Sequence, residues 1–172
     1  SAGFRLLTLL ACGTTGLAGV RVEEVPERGV QPEVVVAADG VVHLVYLRGD
    51  PAAAEVRYTW RRPGEEWQPG KTVNSSGSRA VAMGSIRGPQ LALGKAGTVH
   101  FLWNGVPGGK GLEAPLWYTR KPDLNASFEA ERTLLGETTA LDGGASVAAD
   151  GKGTVVVAWH AGETGQPQEE SR

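Results

Sequence analysis

The sequence predicts an all-β chain assembled from repeated units of four short antiparallel strands, and three observations carry that expectation. First, "ADGVVHLVY" (38–46) returns as "KAGTVHFLW" (95–103) and as "ADGKGTVVVAW" (149–159), so that Tyr46, Trp103 and Trp159 close equivalent strands at spacings of 57 and 56 residues. Second, the 25 glycines and 10 prolines are spread along the chain and punctuate short apolar runs, a pattern of turns between strands and not of long helices. Third, the runs keep one order: "PEVVVAADG", "VVHLVYL", "EVRYTW" and "KTVN" in the first unit, "PQLALGKAG", "TVHFLW", "APLWYTR" and "ERTLL" in the second. Fixed-period units of four antiparallel strands are the pattern of a β-propeller, in which each blade packs its faces on its neighbours around a central axis. About two and a half blades are present, a partial and open set.

From the amino terminus, residues 1–19 read as an export signal. Arg5 gives a positive charge, "LLTLLA" a short apolar run, and small residues around Ala18 and Gly19 suit a signal peptidase. The same letters allow a second reading, since "LLAC" ending at Cys12 resembles the bacterial lipobox, whose cysteine is acylated and anchors the mature chain. Both readings stay open, and both place the protein outside the cytoplasm: secreted, periplasmic or lipid-anchored. Cys12 is the only cysteine, so the exported part is expected to hold together by packing and without a disulfide. No run approaches the roughly 18 apolar residues that span a bilayer, which leaves a lipid on Cys12 as the expected membrane attachment.

Residues 20–30, with "VRVEEV", are expected to be a linker or the outer strand of another blade. Residues 31–87 form the first blade, where Asp39-Gly40 supplies a tight hairpin turn; residues 88–142 form the second, with Lys95-Ala96-Gly97 at the same place. Residues 143–172 open a third blade through Asp150-Gly151-Lys152-Gly153 and break off in a polar tail. Asp39 and Asp150 are expected to serve those turns. "EVVVAA" and "TVVVAW" are apolar on both alternating faces, as expected of strands sandwiched between two sheets. His43 and His100 align with Val156 and are read as packing residues, as are Tyr58 and Tyr118 at matching third-strand positions. Two and a half blades do not close a ring of 4 to 8, so the chain is expected to be part of a longer protein; completion of a ring by association of copies is the alternative.

The connection from third to fourth strand carries a family resemblance. "RRPGEEW" (61–67) and "KPDLNASF" (121–128) sit at equivalent places and resemble the Asp-box, Ser-x-Asp-x-Gly-x-Thr-Trp, of sialidase-like propellers. Asp123 takes the place of the motif's Asp, Ser127 of its Thr and Phe128 of its aromatic. In the first copy Gly64 and Trp67 match, while Arg62 replaces the Asp. The resemblance spans residues 31–162 and implies a turn in which the Asp accepts backbone N–H bonds with the aromatic residue tucked beneath. An Asp-box is structural and implies no activity.

In such a fold the connections from second to third strand, and from fourth strand to the next blade, share the binding side. Here these are 47–55, 74–89, 104–115, 136–144 and 160–168, and they offer Arg48, Asp50, Arg79, Arg87, Asn104, Glu113, Asp142 and His160 as binding candidates, with Glu137 beside them. The resemblance also implies what a sialidase would need: three arginines on a carboxylate, a tyrosine–glutamate nucleophile pair and an aspartate acid/base. "SIRGP" around Arg87 lacks the order of the family's Arg-Ile-Pro motif, so no catalytic role falls on Arg87 and none is assigned elsewhere. Three isolated histidines give no metal spacing, and neither metal nor cofactor is expected. A formal charge of -2 argues against nucleic acid as a partner. The expected function is binding of extracellular carbohydrate or protein through the loops; the alternative is an exo-sialidase-like glycoside hydrolase whose catalytic residues lie mostly outside this stretch.

Overall fold

A computed structural model describes residues 19–82, 88–107, 114–134 and 139–163. The chain is all-β. β1 (Val30–Val36), β2 (Val42–Arg48), β3 (Glu55–Arg61) and β4 (Lys71–Thr72) form one antiparallel sheet in chain order. β5 (Gln90–Leu93), β6 (Val99–Asn104), β7 (Leu116–Lys121) and β8 (Arg132–Thr133) form a second, and β9 (Thr139–Ala149) with β10 (Val155–Glu163) a third hairpin. Among the described residues no helix is long and apolar enough to cross a membrane.

The turns form as their residues dictate. Gly40 takes φ +83, a left-handed backbone that a side chain resists, while the Asp39 carboxylate accepts the N–H of Val41 at 3.1 Å. In the third hairpin the Asp150 carboxylate accepts three N–H groups, from Lys152, Gly153 and Thr154, at 2.7, 2.9 and 2.9 Å.

Alternation along the strands gives each sheet two different faces. In the first sheet His43, Val45, Leu47, Val56 and Tyr58 share one face, fixed by the pairs Val45↔Tyr58 and Leu47↔Val56. These side chains pack on Leu91, Val99, Phe101 and Trp103 of the second sheet to form the main core. The second sheet turns its own histidine–tyrosine face the other way, so that Leu102, Leu116 and Tyr118 pack on Ala145, Val147 and Val157 of the hairpin. At the repeat spacing Phe101 corresponds to Leu44, so the histidine face of one sheet always meets the opposite face of the next. The first strands lie side by side, β1 against β5 and β5 against β9. Tyr58, Phe101 and Trp103 are almost wholly buried, and each contributes roughly 1.5–3 kcal/mol of apolar burial.

β5, with Leu91 and Ala92 both buried, lies between two sheets, whereas Val34, Val36 and Val156 are 51%, 60% and 58% exposed on faces that no described residue covers.

Residues 21–29 run as a strap across the outer face of the first sheet. Arg57 donates to both Glu27 oxygens at 2.9 Å, the Tyr46 hydroxyl donates to Glu27 at 2.9 Å, and Arg61 pairs with Glu23 at 2.8 Å. Burial, then the Glu27 bond, pushes the Tyr46 pKa up to about 12. Gly29 lets the strap lie close: a Cβ there would stand 2.1 Å from the Tyr46 ring.

Candidate functional site

The strand connections divide between two sides. On the loop side, residues 74–82 lace the first two sheets together. Buried Asn74 accepts the N–H of Val56 at 2.8 Å and donates to the carbonyl of Ser78 at 3.0 Å. Ala80 bridges Ala54 and Gly105, Val81 N–H donates to the Asn104 carbonyl at 3.0 Å, and the Trp103 indole N–H donates to the Ser78 carbonyl at 2.8 Å. The Glu131 carboxylate caps the turn, accepting from the Ser75 N–H at 2.5 Å and from the Ser78 hydroxyl.

Four loop-side candidates lie among the described residues, and three of them are already engaged. Arg48 reaches Glu27 at 3.7 Å, and Arg79 reaches Glu55 at 3.3 Å. Asp50 accepts the N–H of Ala52 at 2.9 Å and so shapes its own turn. Asn104 is buried at the end of β6, and its side-chain nitrogen has no hydrogen-bond partner among the described residues. Cys12, Arg87, Glu113 and Glu137 lie outside the described residues, as do the side chains of Asp142 and His160.

On the turn side, the two connections that resemble each other have the same frame. Thr59 Oγ1 donates to the Gln68 carbonyl at 2.5 Å and Thr119 Oγ1 to the Glu129 carbonyl at 2.8 Å; Gln68 N–H returns to Trp60 and Glu129 N–H to Arg120, both at 2.9 Å. Asp123 accepts the N–H groups of Asn125 and Ala126 at 2.7 and 2.9 Å, and these bonds hold its carboxyl below the usual range. Buried Lys121 donates to the Ala126 carbonyl. Phe128 sits edge-on to Tyr58 and Phe101 at 6.3 and 5.6 Å, between the sheets, while Ser127 is exposed. In the first copy Gly64 takes φ +77, and Trp67 lies on the outer face beneath the Arg61 guanidinium at 4.4 Å.

His43 Nδ1 lies 2.8 Å from the Tyr58 hydroxyl, and His100 Nδ1 2.6 Å from that of Tyr118. Burial lowers both histidine pKa values and raises both tyrosine values; Arg120 and Arg132 push His100 further down, against Glu129.

Cavities open between these parts. One of about 740 Å³ lies under the strap, with Glu23, Val34, Leu44, Arg61 and Trp67 on its walls. One of about 510 Å³ between the first and second sheets is lined by Asp39, Val41, His43, Leu93 and Asp123. One of about 470 Å³ between the second sheet and the hairpin is lined by Lys95, His100, Tyr118, Arg120, Arg132 and Thr154. Among the described residues no cluster of His, Cys, Asp and Glu has the makings of a metal centre.

No protein-family model matches the chain, and no curated protein is significantly similar to it. Lys95, Arg120 and Arg132, which share the walls of the last cavity, were not among the sequence candidates. They belong to three separate segments, and only the pairings His100↔Arg120 and Tyr118↔Arg132 bring the two arginines to one face.

Proposed function

We propose that the chain belongs to an exported β-propeller of the sialidase-like kind that binds extracellular glycan or protein through its loop side. Three features support this reading: consecutive sheets stacked in one direction with first strands adjacent, the shared frame of the two third-to-fourth strand connections, and the Asp123 turn with Phe128 beneath it. The observation that carries the binding function is the laced segment 74–82. It ties residues 74–82 to both sheets and carries Arg79 at the surface, a preorganised scaffold of the kind that recognition requires. The hydrolase alternative gains nothing from Arg48 and Arg79, which hold separate carboxylates and form no arginine cluster.

The test is a panel of immobilised sialylated, sulfated and neutral glycans probed with the full chain, together with a fluorogenic sialoside. Binding to a subset of glycans, weakened by Arg79→Ala with unchanged thermal stability and without sialoside turnover, is the expected result. Turnover would favour the hydrolase. Binding that is absent, or indifferent to Arg79→Ala, would overturn the loop-side reading.

A further inference from the structure

We infer that the cleft between the second sheet and the β9–β10 hairpin, on the side opposite the loops, is an anion-binding site for a single oxyanion group, free or borne on a sugar. Its volume of about 470 Å³ falls in the range of small-molecule sites, roughly 300–1,000 Å³. Its walls combine the aromatic surfaces of His100 and Tyr118 with three cations from three segments: Lys95 from the turn before β6, Arg120 from β7 and Arg132 from β8.

Of the carboxylates in the neighbourhood, two are held away from the cleft and the third, Glu129, pairs with Arg120 itself, so that Lys95 and Arg132 are the cations left for a ligand. Glu129 bonds Arg120 Nε at 2.7 Å, Glu131 is bound to Ser75 and Ser78, and Asp150 is held by the N–H groups of its own turn. Arg132 lies over the Tyr118 ring at 4.6 Å, and neither it nor Lys95 has an ion-pair partner among the described residues. A cleft with a surplus of positive charge and walled by aromatic surface concentrates the field on an incoming anion. Guanidinium groups add directed donors for sulfate, phosphate or carboxylate oxygens.

The repeat does not require these charges. At the equivalent places in the first sheet, by register, stand Ala38, Trp60 and Lys71, and the cleft between the first and second sheets presents Asp39 and Asp123 instead. Packing alone is satisfied by Ala38 and Trp60, so the cationic trio is particular to the second cleft. The same field is felt by His100, whose charged form Arg120 and Arg132 disfavour.

The imidazoles report on location. The full chain is titrated with sodium sulfate, with glucose 6-sulfate and with glucose, at ionic strength held constant with chloride, while the His43 and His100 ring signals are followed by NMR. Saturable movement of His100 alone, with sulfate and the sulfated sugar and not with glucose, is expected. Lys95→Gln, an exposed position where the fold is not at stake, should weaken the binding about tenfold or more, and Arg62→Gln should leave it unchanged. Sulfated sugar binding more tightly than inorganic sulfate assigns the site to a sugar ester, and equal binding assigns it to the free anion; both support the site. A His100 signal that does not saturate, or equal losses in Lys95→Gln and Arg62→Gln, would mean general screening and would sink the proposal.

Discussion

A histidine buried against a tyrosine hydroxyl is least costly when neutral, and the chain contains that pair twice. For His43 and His100 burial lowers the pKa below the ordinary 6.5, so the folded chain takes up these protons less readily than the unfolded one. The stability gained is therefore fully present above 6.5 and is lost as pH falls through the lower folded values. The midpoint of thermal unfolding should decline as pH falls below 6.5, before Glu27 and Asp123, with depressed values of their own, lose their contributions at lower pH. The double variant His43→Gln, His100→Gln should flatten that first decline; a profile unchanged by it would remove the imidazoles from the account. The packing role was legible in the sequence because Val156 occupies the third equivalent position. Lys95, Arg120 and Arg132 were not legible as a group, since charges far apart in the chain read as separate solvated residues until strand pairing joins them.

At the level of elements, the four-strand order was readable from period-two alternation and glycine-bearing turns, even though β4 and β8 are only two residues long. What alternation does not carry is which faces are covered, because an apolar residue reads alike whether or not a sheet lies upon it. The connections around Trp67 and Phe128 make this concrete. They are equivalent in frame, yet Phe128 is clamped between two sheets while Trp67 lies on an outer face under a guanidinium. Phe128→Ala should destabilise the chain by about 3 kcal/mol, the lower end for loss of a core aromatic. Trp67→Ala should cost less, about 1–2 kcal/mol, the scale of a half-buried cation–π contact. Urea unfolding of both variants measures the difference, and equal losses would show that the outer face is packed as tightly as the core.

For the molecule as a whole, antiparallel sheets of four strands could be read from the repeat, whereas the direction of stacking could not. It depends on His43 and Phe101 facing each other's sheets, which a linear pattern does not encode. Among the described residues Val34, Val36 and Val156 are exposed, and uncovered apolar faces carry some risk of aggregation. Val36→Lys combined with Val156→Lys should change stability by no more than about 0.5 kcal/mol and lower the light scattering of concentrated solutions. A drop of several degrees in unfolding temperature would instead reveal cover on those faces.

Each sheet thus has a front that fits the back of the following one, as seen at both internal junctions. Such a unit can be copied or removed whole by gene duplication or in-frame deletion without any contact having to be redesigned. Growth in steps of one sheet is then the cheapest route by which proteins of this build change size, and point substitutions inside a junction the route by which neighbouring clefts, such as the cationic one, become different from one another.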